Sequence, residues 1–280
     1  MAEWACFRGE GVPDGFSARG GQTTGPYYPY LNPLSSSSGS AVASAIGLAA
    51  ATLGSETTGS IVLPASRNNI VGIKPTVGLV SRSGGRAITL IWNKTCSVCL
   101  SSVIPISPHQ DTVGPLARCV ADAALLLTII VGNDPNDTCD IGLPPPQEWP
   151  DYTKALNAGA LRGKRLGVPR ALFQDYPIIN DTFQKSLDIF RDLGAHVIDP
   201  VDFPSAHELK QSKAEDLVLT VDFKPALNKY LTELVEVPTG VRTLADVIEF
   251  NLAHADIELP APYYTDQSQF VTLYTFRQRC

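Results

Sequence analysis

A chain of 280 residues suffices for one large or two small globular domains. Hydrophobic residues make up 44% of it, enough for a sizeable core, while charged residues are only 18%, against roughly 25% in an average soluble domain. The net charge of −6 and pI of about 5.2 leave no uniform basic face, so nothing argues for nucleic-acid binding.

Met1 to Cys6 shows no basic segment running into an apolar stretch, so no signal peptide is visible, which favours the cytoplasm. Residues 1–40 are rich in Gly, Ser, Pro and Tyr and read as long loops. Ser40 to Leu53 is a run of small residues that predicts a tightly packed, buried helix. Ile61–Pro64 and Ile70–Ile73 read as short buried strands or strand-like turns. Apolar residues at Leu116, Val120, Ala124, Leu127 and Val131 predict a helix stopped by Gly132. Its densest part, Ala123 to Val131, is too short to span a bilayer and reads as buried. Asn133–Pro150, with Pro144-Pro145-Pro146, is linker-like. Arg165–Pro169 reads as a strand, Asp181–Leu193 as an amphipathic helix ended by Gly194, and His196–Asp199 as the next strand. That order is an α/β signature. Residues 206–257 read as mostly helical. The cysteines are scattered, and Cys96-x-x-Cys99 lacks a second pair or a nearby histidine, so no metal site is expected.

Two hydroxyl-rich turns stand out. Ser35-Ser36-Ser37-Ser38-Gly39-Ser40 precedes the small-residue run, and Gly54-Ser55-Glu56-Thr57-Thr58-Gly59-Ser60 follows it. A Ser/Gly run alone is usually a flexible linker. Here it enters a segment that must be buried, so its backbone N–H groups need partners. A helix N-terminus offers free N–H groups and partial positive charge, the requirement for holding developing negative charge. Gly-x-x-x-x-Gly-Lys is absent, which removes the phosphate-loop reading, and so is Gly-x-Ser-x-Gly, which disfavours a nucleophile elbow.

Ser35 to Ala65, followed by Gly72-Ile73-Lys74-Pro75-Thr76 and Asp111-Thr112-Val113-Gly114-Pro115, resembles the amidase signature family; Glu3-Trp4-Ala5 and Ser17 to Thr23 resemble its upstream segment. The resemblance implies an α/β fold, a mixed β-sheet flanked by helices on both faces. It places the nucleophile on Ser60 and the bridging serine, held on a cis peptide, 24 residues earlier on Ser36. It places an oxyanion hole on the backbone N–H groups of Thr57, Thr58, Gly59 and Ser60. In the family a neutral lysine takes a proton from the bridging serine, which takes one from the nucleophile; the acyl-enzyme is then hydrolysed. A small-molecule amide substrate is implied, with no cofactor, metal, nucleic acid or membrane, and no particular oligomeric state.

The sequence also departs from the family. Its first lysine is Lys74, matching a family lysine that is not the catalytic one. The chain is therefore expected to be a partial amidase domain, 1–280, truncated at both ends, with an incomplete sheet and impaired activity. Its signature core runs about 17–131 and its helical segment about 206–257. Residues 85–102, with Trp92, Cys96 and Cys99, interrupt the pattern and read as an insertion, an intron retained in frame. Ser35 stands where glycine is usual, and a Cβ would be strained if the position needs positive φ. Val271–Cys280 do not resemble the family. Three rivals remain: a Ser-His-Asp hydrolase using His109 and Asp111, a non-catalytic amidase-like scaffold, and a protein like the ammonia-supplying component of glutamyl-tRNA amidotransferase.

Overall fold

A computed structural model describes residues 5–9, 11–83, 103–134, 136–137, 139, 142, 144–145, 148–173 and 176–276. The chain divides into two compact units, Met1–Tyr152 with Val218–Cys280, and Thr153–Leu217. The linker-like stretch expected at 133–150 thus ends close to the boundary. Among the described residues no helix is long and apolar enough to cross a membrane.

After a short hairpin, β1 (Phe16–Ser17) and β2 (Gly21–Gln22), the first unit is organised on an antiparallel sheet. Its strands are β3 (Ala51–Glu56), β4 (Val71–Gly72) and β5 (Thr112–Ala117), in the order β3-β5-β4. Side chains alternate along a strand, so Leu116 and Val113 point to opposite faces. Leu116 packs with Ala41 of α1 (Ser38–Ala45) and with Ile61 and Ala65 around α2 (Val62–Arg67). Val113 and Leu53 pack with Val80 and with Leu127 and Ile130 of α3 (Val120–Ile130). Helices therefore cover both faces of the sheet, and the α/β class is as the sequence implied.

The small-residue run is not one helix. α1 stops at Ala45, where Gly47 takes φ +78°. Leu48 N–H donates to Ala43 O at 2.9 Å and Gly47 N–H to Ser44 O at 3.2 Å, which satisfies the last carbonyls. The chain then returns as β3, with Thr52 Oγ1 donating to Ser40 O at 2.9 Å. The difference matters for the site. A helix from Ser40 to Leu53 would hold its ends about 20 Å apart, whereas the returning strand brings the second hydroxyl-rich turn back beside the first.

Ile61–Pro64 does not form a strand but opens α2. Pro64 sits in the first helical turn, where a missing N–H costs nothing. Leu116 and Ala117 end β5 rather than begin a helix, and α3 starts at Val120. α3 is not wholly buried: Ala123, Ala124, Leu127 and Ile130 face the core, while Val120, Leu125 and Ile129 are exposed.

In the second unit β6 (Arg165–Gly167) and β7 (His196–Ile198) pair in parallel, joined through α4 (Pro177–Asp192), as the pattern predicted. α4 begins earlier than expected because Pro177 takes its first turn, with φ preset for a helix. Arg170 grips Asp199 with two bonds, 2.7 and 2.5 Å. α5 (Ala206–Gln211) follows.

A second core of the first unit joins α6 (Ala214–Glu233), α7 (Leu244–Ala253) and, after the short α8 (Ala255–Glu258), α9 (Ser268–Thr275). Phe223, Leu227, Leu244, Phe270 and Leu273 form it, with Phe7 edge-on to Phe223 at 5.0 Å. Residues just past 270 are thus part of a packed helix, although the sequence there lost its family pattern.

The insertion expected at 85–102 lies outside the described residues. Its flanks do not: Val103 N–H donates to Arg82 O at 3.0 Å. Arg82 is held by Asp137 through Nε at 3.0 Å and Nη2 at 2.7 Å, and Ser81 and Ser83 both donate to Asp134. Replacing residues 84–102 by an Asn-Gly turn is therefore expected to raise unfolding free energy by about 2 kcal/mol, since loop closure costs about 0.6 kcal/mol per doubling of length. Denaturant unfolding of the shortened chain checks this. Loss of the cooperative transition would refute it.

Candidate active site

The two serine turns touch. Ser37 N–H donates to Ser60 O at 3.1 Å, which lays the 36–37 peptide against Ser60. Ser36 is buried and Ser60 half-buried, and the Ser35–Ser36 peptide is cis. Neither hydroxyl, of Ser36 or Ser60, has a hydrogen-bond partner among the described residues. Ser37 staples the start of α1 to the end of β3: its Oγ donates to Ser55 O and accepts from Ser55 N, both at 3.1 Å. This needs glycine at 54, where a Cβ would lie 2.6 Å from Ser37 Oγ. Ser35 does not adopt positive φ, so the strain expected there does not arise; its hydroxyl donates to Asp14 Oδ1 at 2.5 Å.

The 57–60 turn is shaped by two buried carboxylates. Glu56 accepts from Gly59 N–H at 2.8 Å, Ile61 N–H at 2.7 Å and Val62 N–H at 3.0 Å. It thereby caps α2, a negative charge at the positive end of a helix. Asp111 accepts from Thr57 Oγ1 at 2.5 Å through Oδ1, and from Ile106 N–H at 2.9 Å and Ser107 N–H at 3.0 Å through Oδ2. Burial pushes the Asp111 carboxyl above its ordinary pKa, and the bonds from Thr57, Ile106 and Ser107 pull the other way.

Of the four amides assigned to an oxyanion hole, Gly59 donates to Glu56, while those of Thr57, Thr58 and Ser60 carry no hydrogen bond to a described residue. Thr58 is exposed and Thr57 buried. The sequence gives Glu56 no separate role and places Asp111 in the family motif, in a capped turn or in the rival triad. A glutamate placed just before a Gly-Ser turn and an apolar run is a signal for a helix cap. Nothing local marks the partner of Asp111.

The Ser-His-Asp reading does not survive the geometry. His109 Nδ1 meets Asp222 Oδ2 at 2.7 Å, not Asp111, and its ring is 72% exposed. Ser107 Oγ donates to the same Asp222 oxygen at 2.5 Å, so the carboxylate lies between serine and histidine and the imidazole cannot take the serine proton. Lys74 Nζ donates to Gln110 O at 3.3 Å.

Residues 8–258 match the Amidase family model, and the chain belongs to this family of amidase signature enzymes. Within the family it is 41% identical over 263 residues to a protein of Arthroderma benhamiae named as an amidase, covering 93% of this chain and 41% of that one. The structure of the native peptide amidase from Stenotrophomonas maltophilia superposes with a TM-score of 0.82 at 40% identity, covering 99% of this chain and 51% of that chain. The glutamyl-tRNA(Gln) amidotransferase component solved from Thermotoga maritima superposes with a TM-score of 0.56 at 28% identity, over 90% of this chain and 47% of that chain. The chain thus spans about half the length, or somewhat less, of the relatives it matches.

Proposed function

We propose that Ser60 is the acyl-accepting nucleophile of a carboxamide hydrolase and that Ser36 relays its proton. The contact between the two turns, Ser37 N–H to Ser60 O at 3.1 Å, carries this reading. Ser60 Oγ attacks the carbonyl carbon while its proton passes to Ser36 Oγ, whose own proton goes to a base. The carbonyl oxygen becomes an oxyanion facing the amides of Thr57, Thr58 and Ser60; fixed donors of this kind lower the barrier because they need no reorganisation. The C–N bond then breaks, the proton returns to the leaving amine or ammonia, and water cleaves the acyl-serine. Lys74 Nζ is engaged with Gln110 O, so Lys74 is not read as the base that acts on Ser36.

The favoured substrate class is the carboxamide of a peptide, on the strength of the likeness to the Stenotrophomonas maltophilia peptide amidase over 99% of this chain. The likeness to the amidotransferase component is looser, with a TM-score of 0.56. A fluorophosphonate probe followed by peptide mapping tests the nucleophile. The adduct is expected on the peptide containing Ser60, formed slowly, and absent from Ser60→Ala. No adduct, even with a primary amine added as base, would leave the non-catalytic scaffold in its place.

A further inference from the structure

We propose that Asp111 is a positioning residue for the nucleophile turn, acting through the hydroxyl of Thr57; this rests on Ser60 being the nucleophile. The antiparallel register of β3 and β5 ends at Glu56 opposite Thr112, and one step further sets Thr57 opposite Asp111. There the backbone ladder stops and a side-chain bond replaces it, Thr57 Oγ1 to Asp111 Oδ1 at 2.5 Å. Both residues are buried, at 9% and 4% exposure. Asp111 has no cation bonded to its carboxylate among the described residues. Arg82 Nη1 reaches the Asp111 carbonyl oxygen instead, at 3.4 Å.

The Arg82 charge acts on the Asp111 carboxylate only through space, and burial of a carboxylate without a bonded cation is costly. A strand pair could end on an apolar or hydroxyl pair at less cost. What the carboxylate supplies is three bonds in two directions: one oxygen holds Thr57 and the other holds the amides of Ile106 and Ser107. Ser107 is in turn fixed to Asp222 of α6 at 2.5 Å. The turn is therefore braced from α6 through Ser107 and Asp111 to Thr57. Glu56 holds only its far side, at Gly59, Ile61 and Val62. Without the Thr57 bond, the proposed oxyanion amides of Thr57 and Thr58 span from the last ladder pair at Glu56 to the held Gly59 with no side-chain anchor between them. Misaim of that kind slows the chemical step and leaves probe binding alone.

The test is fluorophosphonate capture by the whole chain at a fixed concentration of primary amine, read separately as kinact and KI. Thr57→Val, which keeps shape and loses the hydroxyl, is expected to lower kinact on the order of 10- to 100-fold with KI unchanged. Thr57→Ser recovers most of the rate. Asp111→Ala slows capture no further in the Thr57→Val background; should that variant not fold, the Thr57 pair alone decides. Parental kinact in Thr57→Val, an equal loss in Thr57→Ser, or a loss carried by KI would overturn the inference. A parent adduct that maps away from Ser60 instead sinks the nucleophile assignment itself, and the positioning role with it.

Discussion

Replacing Glu56 with alanine is expected to cost the fold about 4 kcal/mol, and replacing it with glutamine about 2 kcal/mol. The carboxylate is 4% exposed and accepts three backbone N–H groups. Alanine leaves all three donors without an acceptor at the head of α2, a helix of six residues, which is too short to persist by itself. Glutamine is a sharper probe. Its single oxygen can serve Ile61 and Val62, as Oε2 does now, but its NH2 group then faces the Gly59 N–H, donor against donor. Turning the amide over satisfies Gly59 and abandons the other two. Denaturation midpoints of the two variants measure both costs. A loss below about 1 kcal/mol for alanine would mean that water reaches these amides and the cap contributes little. Fluorophosphonate capture at Ser60 is expected to fall with the cap, because the same carboxylate holds Gly59.

How much of this was legible from the sequence depended on how local each signal was. α4 could be read, apart from its first turn at Pro177, because an amphipathic face of Phe183, Leu187 and Phe190 and a stop at Gly194 lie within one stretch. The family and its two serine turns could be read because a long compound motif carries them. The path between the turns could not. Ala51-Thr52-Leu53-Gly54-Ser55-Glu56 has little intrinsic strand preference, and it forms a strand because β5 pairs along its whole length and Gly54 lets Ser37 approach. α3 carries apolar residues on its outer side as well, so its composition suggested a fully buried helix although Val120, Leu125 and Ile129 face out. Glu56 caps amides only three to six residues ahead, a local signal, whereas the role of Asp111 required the β3–β5 register. Asp111 becomes a partner of Thr57 only when residues far apart in sequence are set opposite one another. The rival pairing of His109 with Asp111 fails for the same reason: the carboxylate partner of His109, Asp222, lies on a helix distant in sequence.

A small primary amine is expected to accelerate fluorophosphonate capture of Ser60 on the order of 10- to 100-fold, less than the 10²- to 10⁴-fold of a positioned general base because a diffusing amine is not held in place. A serine hydroxyl is a weak nucleophile until a base removes its proton. In the proposed relay that base acts on Ser36, which is buried at 8% exposure beside the Ser60 turn. The acceleration is therefore expected to depend on three things. It follows the neutral fraction of the amine, so it rises with pH toward an amine pKa of about 10.4. It falls as the amine grows too bulky to reach a buried hydroxyl. It disappears in Ser36→Ala, which keeps Ser60 and its turn but breaks the path by which the proton leaves. Equal acceleration in Ser36→Ala would mean that the amine acts on Ser60 directly, and the relay would be lost while the nucleophile stood. Varying the amine concentration at fixed pH separates this from simple hydroxide attack on the probe, because the amine increment scales with amine concentration and hydroxide does not.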